Sequence, residues 1–556
     1  MRVPSSSPPG TSRSIRVRDG PTAWRSGLAC RTVTHSARRP LRFTSVLVLL
    51  ALLAPLVVGL LVFRDYGIPW DEPIQRSLGA HAWRYVFDSR SAYASSSDRF
   101  YGVAYEMTLY GAERALGIAG NSRGAFLLRH AVNFVVFWLA GLSIFDLVRR
   151  RLGSTALGLV AFGLLFSSPR VFADAFYNTK DLGFLSAFVV GMWTLDRFVA
   201  RPRFWLAVGH GLVCAFATNI RLAGALLPAM TVCAFALVER DRGREGRLAR
   251  LAVLGCCLTT ASVALVAFWP FLWGDPASRF LESLSRMAHY PWGGEVLFDG
   301  RRIPASDLPW TYIPVWIALT TPLSVLALLA AGLWRACHSL VAPASGARTS
   351  RVWSLILLVW LLGPLALVIG LRSALYDGWR QLYFLYPAIA LFATLGVGWA
   401  GSVLRSPAPV WRRALAGAAL AWLAIEVTGS VAWMIRWHPH QNVYFNGAAG
   451  SAEQISRRFE LDYWGLGCRR ALEQVLASDA RPQIALYVPT EACWSNVRIL
   501  TPAERNRLER VDYEGKADYV VEHYRHLPPT TDPPYAVRVD GLLIASARPV
   551  EQAQAP

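Results

Sequence analysis

The sequence RFTSVLVLLALLAPLVVGLLVFRDYGIPWDEPIQ, residues 42–75, carries the pattern on which the fold interpretation depends. Its first part, at 42–63, is an apolar run long enough to cross a bilayer as a helix, which takes about 20 residues. Two adjacent carboxylates, Asp71 and Glu72, follow a few residues beyond this run. Pro73 then begins a helical pattern of apolar residues from Ile74 to Val86, which predicts a helix lying along the membrane surface.

Ten further apolar runs of spanning or near-spanning length follow along the chain. They lie at about residues 125–148, 154–172, 182–199, 204–221, 222–238, 248–272, 312–334, 353–371, 383–404 and 410–436. The chain of 556 residues is 54% hydrophobic and 17% charged, whereas soluble domains are roughly 25% charged. The sequence therefore predicts an α-helical polytopic membrane protein with about eleven transmembrane helices.

The net charge of +20 comes almost entirely from arginine, since Lys180 and Lys516 are the only lysines. The arginines cluster in the N-terminal tail and in every second loop between the predicted spans. Such loops face the cytoplasm by the positive-inside rule, and charges spread in this way do not form a nucleic-acid-binding face. We therefore expect a multi-pass protein of the cell membrane without a nucleic-acid partner. Its N-terminus is expected in the cytoplasm and the segment after Trp437 outside it.

Composition divides the chain into three predicted regions. Residues 1–41 are rich in Ser, Pro and Arg and predict a disordered cytoplasmic tail, and residues 42–436 form the membrane domain. Residues 437–556 are polar, with one helical and four strand patterns and a hairpin turn at Asp540-Gly541, which predicts a small extracytoplasmic α/β domain. Cys468 and Cys493 fall in this domain. They either pair, as an oxidising compartment allows, or remain two unpaired thiols.

Further charged residues fall in other loops predicted to lie outside. The second outer loop, DAFYNTKD, contains Lys180 and Asp181, and Arg380 falls in LRSALYDGWRQLYFLYP. Because the membrane part otherwise uses arginine, Lys180 indicates a place where a compact ammonium group is needed. Structural alternatives remain: an acidic residue before Pro73 can cap a helix, and the second loop can be an ordinary polar turn.

Carboxylates and cations together at the outer surface suit group transfer from a lipid-linked phosphate. A carboxylate can take the proton of an acceptor hydroxyl, and such general base catalysis contributes roughly 10²–10⁴-fold. Cations can hold the phosphate and stabilise the charge that develops on its leaving oxygen. A transporter or lipid-sugar flippase is the alternative, and it would depend on Glu426 and His210 within the membrane. A non-catalytic scaffold that works through its outer domain is a third hypothesis.

Five segments of the chain resemble one superfamily. They are DYGIPWDEPIQ, YNTKD, DLPWTYIPVWIALTTPL, YDGWRQLYFLYP, and HPHQNVYFNG through FELDYWG. DYGIPWDEPIQ resembles the segment with the acidic pair that follows the first span in the GT-C superfamily of membrane glycosyltransferases, and YNTKD is similar to the acidic motif of its second outer loop. This superfamily uses polyprenyl-phosphate sugars and includes the protein O-mannosyltransferases and the lipid A aminoarabinose transferases. The resemblance runs from about Arg42 to Trp464.

The resemblance implies a role for each candidate residue. Asp71 would be the general base, Glu72 its neighbour holding the acceptor or a metal, and Asp181 the acid of the second loop. Lys180 and Arg380 would contact the donor phosphate. The donor would be a polyprenyl-phosphate sugar, and the acceptor a hydroxyl group of a protein, a glycan or a lipid.

A divalent metal is an open question at this stage. Some members of the superfamily bind one near the acidic pair, but no diagnostic spacing of metal ligands is present in this sequence. His289, in the long predicted outer loop at about residues 273–311, is a candidate ligand. The sugar, the acceptor and the oligomeric state are equally open.

Overall fold

The computed structural model describes residues 43–88, 92–240, 242–288, 290, 292–341, 348–526, 529 and 532–550. The predicted tail at 1–41 and the candidate ligand His289 lie outside these residues. Helices dominate the first part of the chain, and a sheet forms after the last long helix.

The α-helices are numbered here in chain order. They are α1 (Phe43–Val62), α2 (Glu72–Phe87), α3 (Ala104–Ala115), α4 (Arg123–Leu152), α5 (Thr155–Phe166), α6 (Pro169–Tyr177), α7 (Asp181–Ala200), α8 (Phe204–Ile220), α9 (Leu226–Glu239), α10 (Arg247–Phe268), α11 (Pro276–Ala288), α12 (Tyr312–Thr320), α13 (Leu323–Val341), α14 (Arg348–Gly370), α15 (Tyr386–Arg405), α16 (Val410–Arg436), α17 (Ala452–Arg458), α18 (Gly467–Ser478), α19 (Glu491–Ser495) and α20 (Pro502–Arg505).

Nine helical segments within the described ranges are long and apolar enough to cross a membrane. Seven are α1, α4, α7, α10, α13, α14 and α16, and the other two are α9 and α15 together with the 3₁₀ turns that precede them, Leu222–Glu239 and Arg380–Arg405. The third predicted span is instead a pair of helices, α5 and α6, bent by 69°, which raises the number to ten if the pair is one span. The fifth is α8, an apolar helix of only 17 residues. At 1.5 Å per residue it is shorter than the roughly 30 Å hydrocarbon core.

The eighth predicted span, 312–334, breaks into α12 and α13 at Pro322. The residue before a proline is disfavoured in helical geometry, and proline itself donates no backbone hydrogen bond. Glu426 of α16 accepts hydrogen bonds from the Leu323 N–H at 2.9 Å and the Ser324 N–H at 2.5 Å. On the other side of the break, the Asn446 side-chain amide donates to the carbonyl oxygens of Ala318 and Thr321, at 2.7 and 2.6 Å.

These contacts give the carboxylate of Glu426 a structural role, because it caps the first turn of α13. His210 has a comparable role on α8. Its ring nitrogens lie 2.7 Å from the hydroxyl groups of Thr194 and Thr231, so it joins α7, α8 and α9. Both residues on which a transport mechanism would depend are thus held in helix-packing contacts.

The region after α16 contains a mixed five-stranded sheet with α18 packed against it. A separate hairpin, β1 (Glu295–Phe298) and β2 (Arg301–Pro304), lies in the loop between α11 and α12. The sheet strands are β3 (Ile484–Tyr487), β4 (Leu508–Val511), β5 (Tyr519–His523), β6 (Tyr535–Val539) and β7 (Leu542–Pro549), in the order β4-β3-β5-β7-β6. β3 is parallel to β4 and β5, and β7 is antiparallel to β5 and β6.

The four strand patterns of the sequence all form strands, and the predicted hairpin turn joins β6 to β7. Asp540 and Gly541 take φ values of 50° and 82° there, a conformation that glycine adopts without strain. Cys468 and Cys493 form a disulfide with a Cα–Cα distance of 5.0 Å, which resolves the two alternatives in favour of pairing.

Candidate active site

The segment between α1 and α2, which leads to Asp71, is held by residues of the C-terminal region. The Ile68 N–H donates to the Asn496 side-chain oxygen at 2.9 Å, and the Asn496 amide donates back to the Ile68 carbonyl at 3.2 Å. Arg469 donates to the carbonyl oxygens of Arg64 and Tyr66, at 2.7 and 2.9 Å. Ile68 and Asn496 are buried, so these bonds fix the path of the chain into the site.

Asp71 occupies the N-cap position of α2, but its side chain makes no capping hydrogen bond. Its carboxylate lies 3.4 Å from Nη2 of Arg380 instead. The Asp71 side chain keeps 23% exposure, whereas that of Arg380 keeps 3%. The structural alternative for Asp71, a helix cap, is therefore not how its carboxylate is used here.

Arg380 is the centre of a group of carboxylates from separate parts of the chain. Besides Asp71, its guanidinium lies 3.0 Å from Asp181 and 2.8 Å from Asp377. Arg221, at the C-terminus of α8, also pairs with Asp181. Asp181, Asp377 and Arg380 are all buried, so the two arginines compensate carboxylates that would otherwise be costly to remove from water.

Lys180 precedes Asp181 in the same group. Its ammonium nitrogen lies 3.0 Å from the ring centroid of Tyr101, over the ring face. A cation is attracted to the face of an aromatic ring by the ring quadrupole. The contact with the ring leaves the N–H groups of the ammonium free to donate hydrogen bonds to an anion.

The surroundings change the proton affinity of Asp71 and of Lys180. Burial raises the pKa of Asp71, and the charges of Arg380 and Lys180 oppose this change. Burial together with Arg221 lowers the pKa of Lys180 to about 7, while Asp71, Asp181 and Asp98 act in the opposite direction. A carboxylate with a raised pKa is a stronger base, and a lysine with a pKa near 7 changes charge in the physiological range.

Glu72 points away from this group into a second buried cluster. Its carboxylate lies 3.1 Å from Nε2 of His130 and 3.5 Å from Nε of Arg129 on α4. Arg129, which is fully buried, also pairs with Glu106 and lies 3.7 Å from Glu113 on α3. Successive residues of a helix differ by about 100° in direction, so adjacent carboxylates at the start of α2 serve different clusters.

The C-terminal region adds a residue that the sequence did not indicate. Nη2 of Arg525, just beyond β5, lies 2.9 Å from Asp377 and 2.8 Å from Glu460. Burial raises the pKa of Glu460 to about 7, and Arg525 opposes this. Asp377 is therefore shared between Arg380 and Arg525, which joins the candidate site to the C-terminal region.

Two other arginines, Arg170 and Arg372, do not join this group. Arg170 donates to the Tyr444 carbonyl at 2.8 Å and lies over the Phe445 ring, 4.7 Å from its centroid. Arg372 lines a separate surface cavity with Asp307 and Trp310. The structure thus brings together Asp71, Lys180, Asp181 and Arg380, adds Arg221, Asp377, Tyr101 and Arg525, and places Glu72 in the neighbouring cluster.

The carboxylates around Asp71 do not fit a divalent metal. Arginines already neutralise Asp181 and Asp377, and hard metal ions need several oxygen ligands free to coordinate. In the part of the chain that the structure describes, the group with metal-ligand spacing is Cys468, Cys493 and His523. Its two sulfur atoms are joined in the disulfide and are not thiolate ligands.

Comparisons with known proteins agree with this architecture. The structure of ArnT from Cupriavidus metallidurans in the apo state is 16% identical, with a TM-score of 0.50, and the match covers 92% of this chain and 100% of that one. The chain has the GT-C fold. ArnT from the same organism bound to undecaprenyl phosphate matches with 16% identity, 92% and 99% coverage and a TM-score of 0.47.

A family model described as dolichyl-phosphate-mannose-protein mannosyltransferase matches residues 110–273. Within the GT-C fold this range includes Lys180, Asp181 and Arg221 but neither Asp71 nor Arg380. No curated protein is similar enough in sequence to count as a relative. The family match and the likeness to apo ArnT confirm the GT-C resemblance of the sequence motifs.

Proposed function

We propose that the protein transfers a sugar from a polyprenyl-phosphate donor to an acceptor hydroxyl outside the cytoplasm, with Asp71 as the general base. The observation that carries this proposal is the contact of Arg380 with both Asp71 and Asp181. It brings together three chain segments whose charged residues the sequence motifs singled out. The GT-C fold and the mannosyltransferase family match support glycosyl transfer as the reaction class.

The residues divide the reaction between them. The acceptor oxygen attacks the anomeric carbon of the sugar, and Asp71 takes the proton of that hydroxyl. The bond between the anomeric carbon and the phosphate oxygen breaks, and the polyprenyl phosphate leaves with the electron pair. Lys180 and Arg380 hold the phosphate and stabilise the negative charge that develops on its oxygen. Asp181 keeps Arg221 and Arg380 in place by ion pairs with both.

Glu72 acts in this proposal on the position of Asp71. Its contacts with Arg129 and His130 anchor the first turn of α2 to α4. Because Asp71 immediately precedes that turn, the anchor sets where its carboxylate lies. A misplacement of about 1 Å at a reacting centre can cost 10²-fold in rate.

Replacing Asp71 by Asn tests the base directly. The amide keeps the size and removes the basicity, so we expect turnover to fall at least about 10²-fold with donor binding largely retained. The donor is first identified as the polyprenyl-phosphate sugar that accumulates in cells lacking the protein. Transfer of that radiolabelled sugar to membrane acceptors is then measured with the purified protein.

Asp65→Asn is the matched control, because Asp65 lies in the same segment and contacts His438 at the surface. We expect its turnover to stay near that of the wild type. Asn caps a helix as well as Asp does, so a cap role predicts no loss in Asp71→Asn. Near-normal transfer by a correctly inserted Asp71→Asn protein would rule out the proposed mechanism.

The proposal places the site and the two long loops, one between α1 and α4 and one between α10 and α12, outside the cytoplasm, with the N-terminus inside. The arginine-rich alternate loops support this orientation. Fusions of a reporter active only in the cytoplasm, one at the N-terminus and one after Val550, should give signal only for the first. The same signal for both fusions would contradict the orientation.

A further inference from the structure

A cavity of about 500 Å³ lies between the segment that joins α1 to α2, the loop after α11 and the C-terminal region. Its volume is within the range of about 300–1,000 Å³ that small-molecule sites occupy. The aromatic rings of Trp70, Trp292, Tyr463 and Tyr524 line it. Several other hydrogen-bonding side chains do so too, among them His523, Arg525 and His526. None of the steps of the proposed sugar transfer described above uses this cavity.

The formal charges of the cavity wall already have partners. Arg525 lies 2.9 Å from Asp377 and 2.8 Å from Glu460. Glu491, another lining residue, lies 3.0 Å from Arg510 and 3.4 Å from Arg498. A charged ligand would have to compete with these ion pairs, so the cavity favours a neutral one.

The two histidines of the wall offer neutral hydrogen-bonding groups. Burial lowers the pKa of His523 and of His526 to about 4, so both rings are uncharged at pH 7. A neutral imidazole has one donor and one acceptor nitrogen. Nδ1 of His526 and Nε1 of Trp70 lack a hydrogen-bond partner among the described residues, and both residues line the cavity.

The cavity wall is connected to the base. Trp70 immediately precedes Asp71 in the chain. Arg525 contacts Asp377, Asp377 contacts Arg380, and Arg380 contacts Asp71. A molecule bound against Trp70 therefore lies next to the residue that would take its proton.

We propose that this cavity binds a neutral sugar ring of the acceptor, so that the acceptor hydroxyl belongs to a glycan. This inference rests on the proposed function. Aromatic rings present flat apolar faces to the C–H groups of a sugar ring, and the uncharged polar groups match its hydroxyls. An acyl chain would leave those polar groups without partners, which costs free energy. An extended peptide pairs with the edge of a sheet and does not require a cavity of this kind.

The test measures binding and transfer separately. Affinities of the full-length protein in lipid nanodiscs are measured by ligand-detected NMR for maltose, cellobiose and N,N′-diacetylchitobiose. An uronate-containing disaccharide and a Ser/Thr-rich peptide are measured in parallel. We expect saturable binding of at least one neutral disaccharide, weakened about tenfold or more in His526→Ala and Trp292→Leu, the loss expected for one good contact.

Trp310→Leu is the matched control, because Trp310 lies in the same outer loop as Trp292 but lines another cavity. Its affinity should equal that of the wild type. Unchanged affinity in His526→Ala and Trp292→Leu, preference for the uronate or the peptide, or no saturable binding of any neutral disaccharide would each overturn the inference.

Asp71→Asn separates this inference from the proposed function. The variant keeps the cavity, so it should bind the disaccharide like the wild type while losing transfer. Full transfer activity in Asp71→Asn would refute the proposed base. The sugar-binding role of the cavity would then be judged from the binding measurements alone. In the transfer assay, the cavity variants should raise the acceptor KM about tenfold with little change in the donor KM.

Discussion

Lys180 stands out in the sequence because lysine is rare there, and its surroundings in the structure give a physical reason for a lysine at this position. The sequence indicates it as the one lysine of a membrane part that otherwise uses arginine. The structure places it over Tyr101 and between Arg221 and three carboxylates, where its pKa falls to about 7. An arginine could not change charge at this pH, which gives the lysine a consequence that can be measured.

We expect the kcat/KM of transfer to depend on pH in the form of a bell. Below the raised pKa of Asp71 the base is protonated, so activity falls as pH decreases through that pKa. Above about pH 7 Lys180 loses its charge, so use of the donor falls as pH rises. These limbs report the free enzyme's groups.

Lys180→Arg should abolish the alkaline limb, because arginine stays charged. Below about pH 7, where the wild-type lysine is charged, Lys180→Met should raise the donor KM about tenfold or more, as expected for the loss of one charge-assisted contact. Lys516→Arg, which changes the other lysine of the chain, serves as the control and should keep the wild-type profile. An unaltered alkaline limb in Lys180→Arg would assign that limb to another group.

The sequence could single out Asp71, Lys180, Asp181 and Arg380 as candidates because charged residues at the ends of apolar runs are conspicuous. Tyr101 and Arg525 carried no such signal. A tyrosine in a long loop and an arginine after a strand are ordinary in sequence, and their position depends on how distant segments pack. The sequence also did not show that the Glu72 side chain points away from Asp71, because that direction is set by the geometry of the first turn of α2.

At the scale of elements, hydropathy predicted the long helices well and their breaks poorly. The runs that became α1, α4 and α7 needed only length and composition. The break before α13 depends on Pro322 and on Glu426, which belongs to a different helix. A sequence window cannot contain both, so the run at 312–334 was predicted as one span.

Glu426→Ala should destabilise the protein without impairing catalysis. It leaves two N–H groups at the start of α13 without acceptors, and the loss of a helix cap costs about 0.5–2 kcal/mol. We expect a lower melting temperature in detergent and near wild-type transfer per folded molecule. Glu426→Gln retains an acceptor oxygen, so its melting temperature should lie between those of the wild type and Glu426→Ala.

Glu453→Ala, a change on the surface helix α17 where Glu453 pairs with Arg457 in solvent, is the control and should leave the melting temperature unchanged. A transport mechanism based on the membrane carboxylate predicts the reverse for Glu426→Gln, namely normal stability and lost function. That result would return transport to consideration.

At the scale of the whole molecule, the C-terminal region and the membrane part share one site. The sequence predicted the strands of that region individually, since β3, β5, β6 and β7 all show strand patterns. It could not show that Asn496 and Arg469 would hold the segment leading to Asp71. β4 was also missed, because its residues Leu508–Val511 are half exposed at the sheet edge and lack alternation.

Asn496→Ala should lower kcat about tenfold with little change in the donor KM, because a loosened base segment affects the reaction more than donor binding. Asn496→Asp keeps an acceptor for the Ile68 N–H and should lose less. Asn506 is exposed in the same C-terminal region, so Asn506→Ala is the control and should keep the wild-type kcat. A wild-type kcat in Asn496→Ala would show that the segment holds its position without this contact.

The contact between Ile68 and Asn496 joins residues 428 positions apart, and that between Arg469 and Arg64 joins residues 405 apart. Domains fold from the N-terminus as a chain is synthesised, so Asp71 is made long before the residues that fix it. The ribosome must complete the last long helix and the first part of the sheet before the base segment can settle. On the proposed function, a nascent or truncated chain, although inserted through α16, would therefore remain inactive towards lipid-linked sugars.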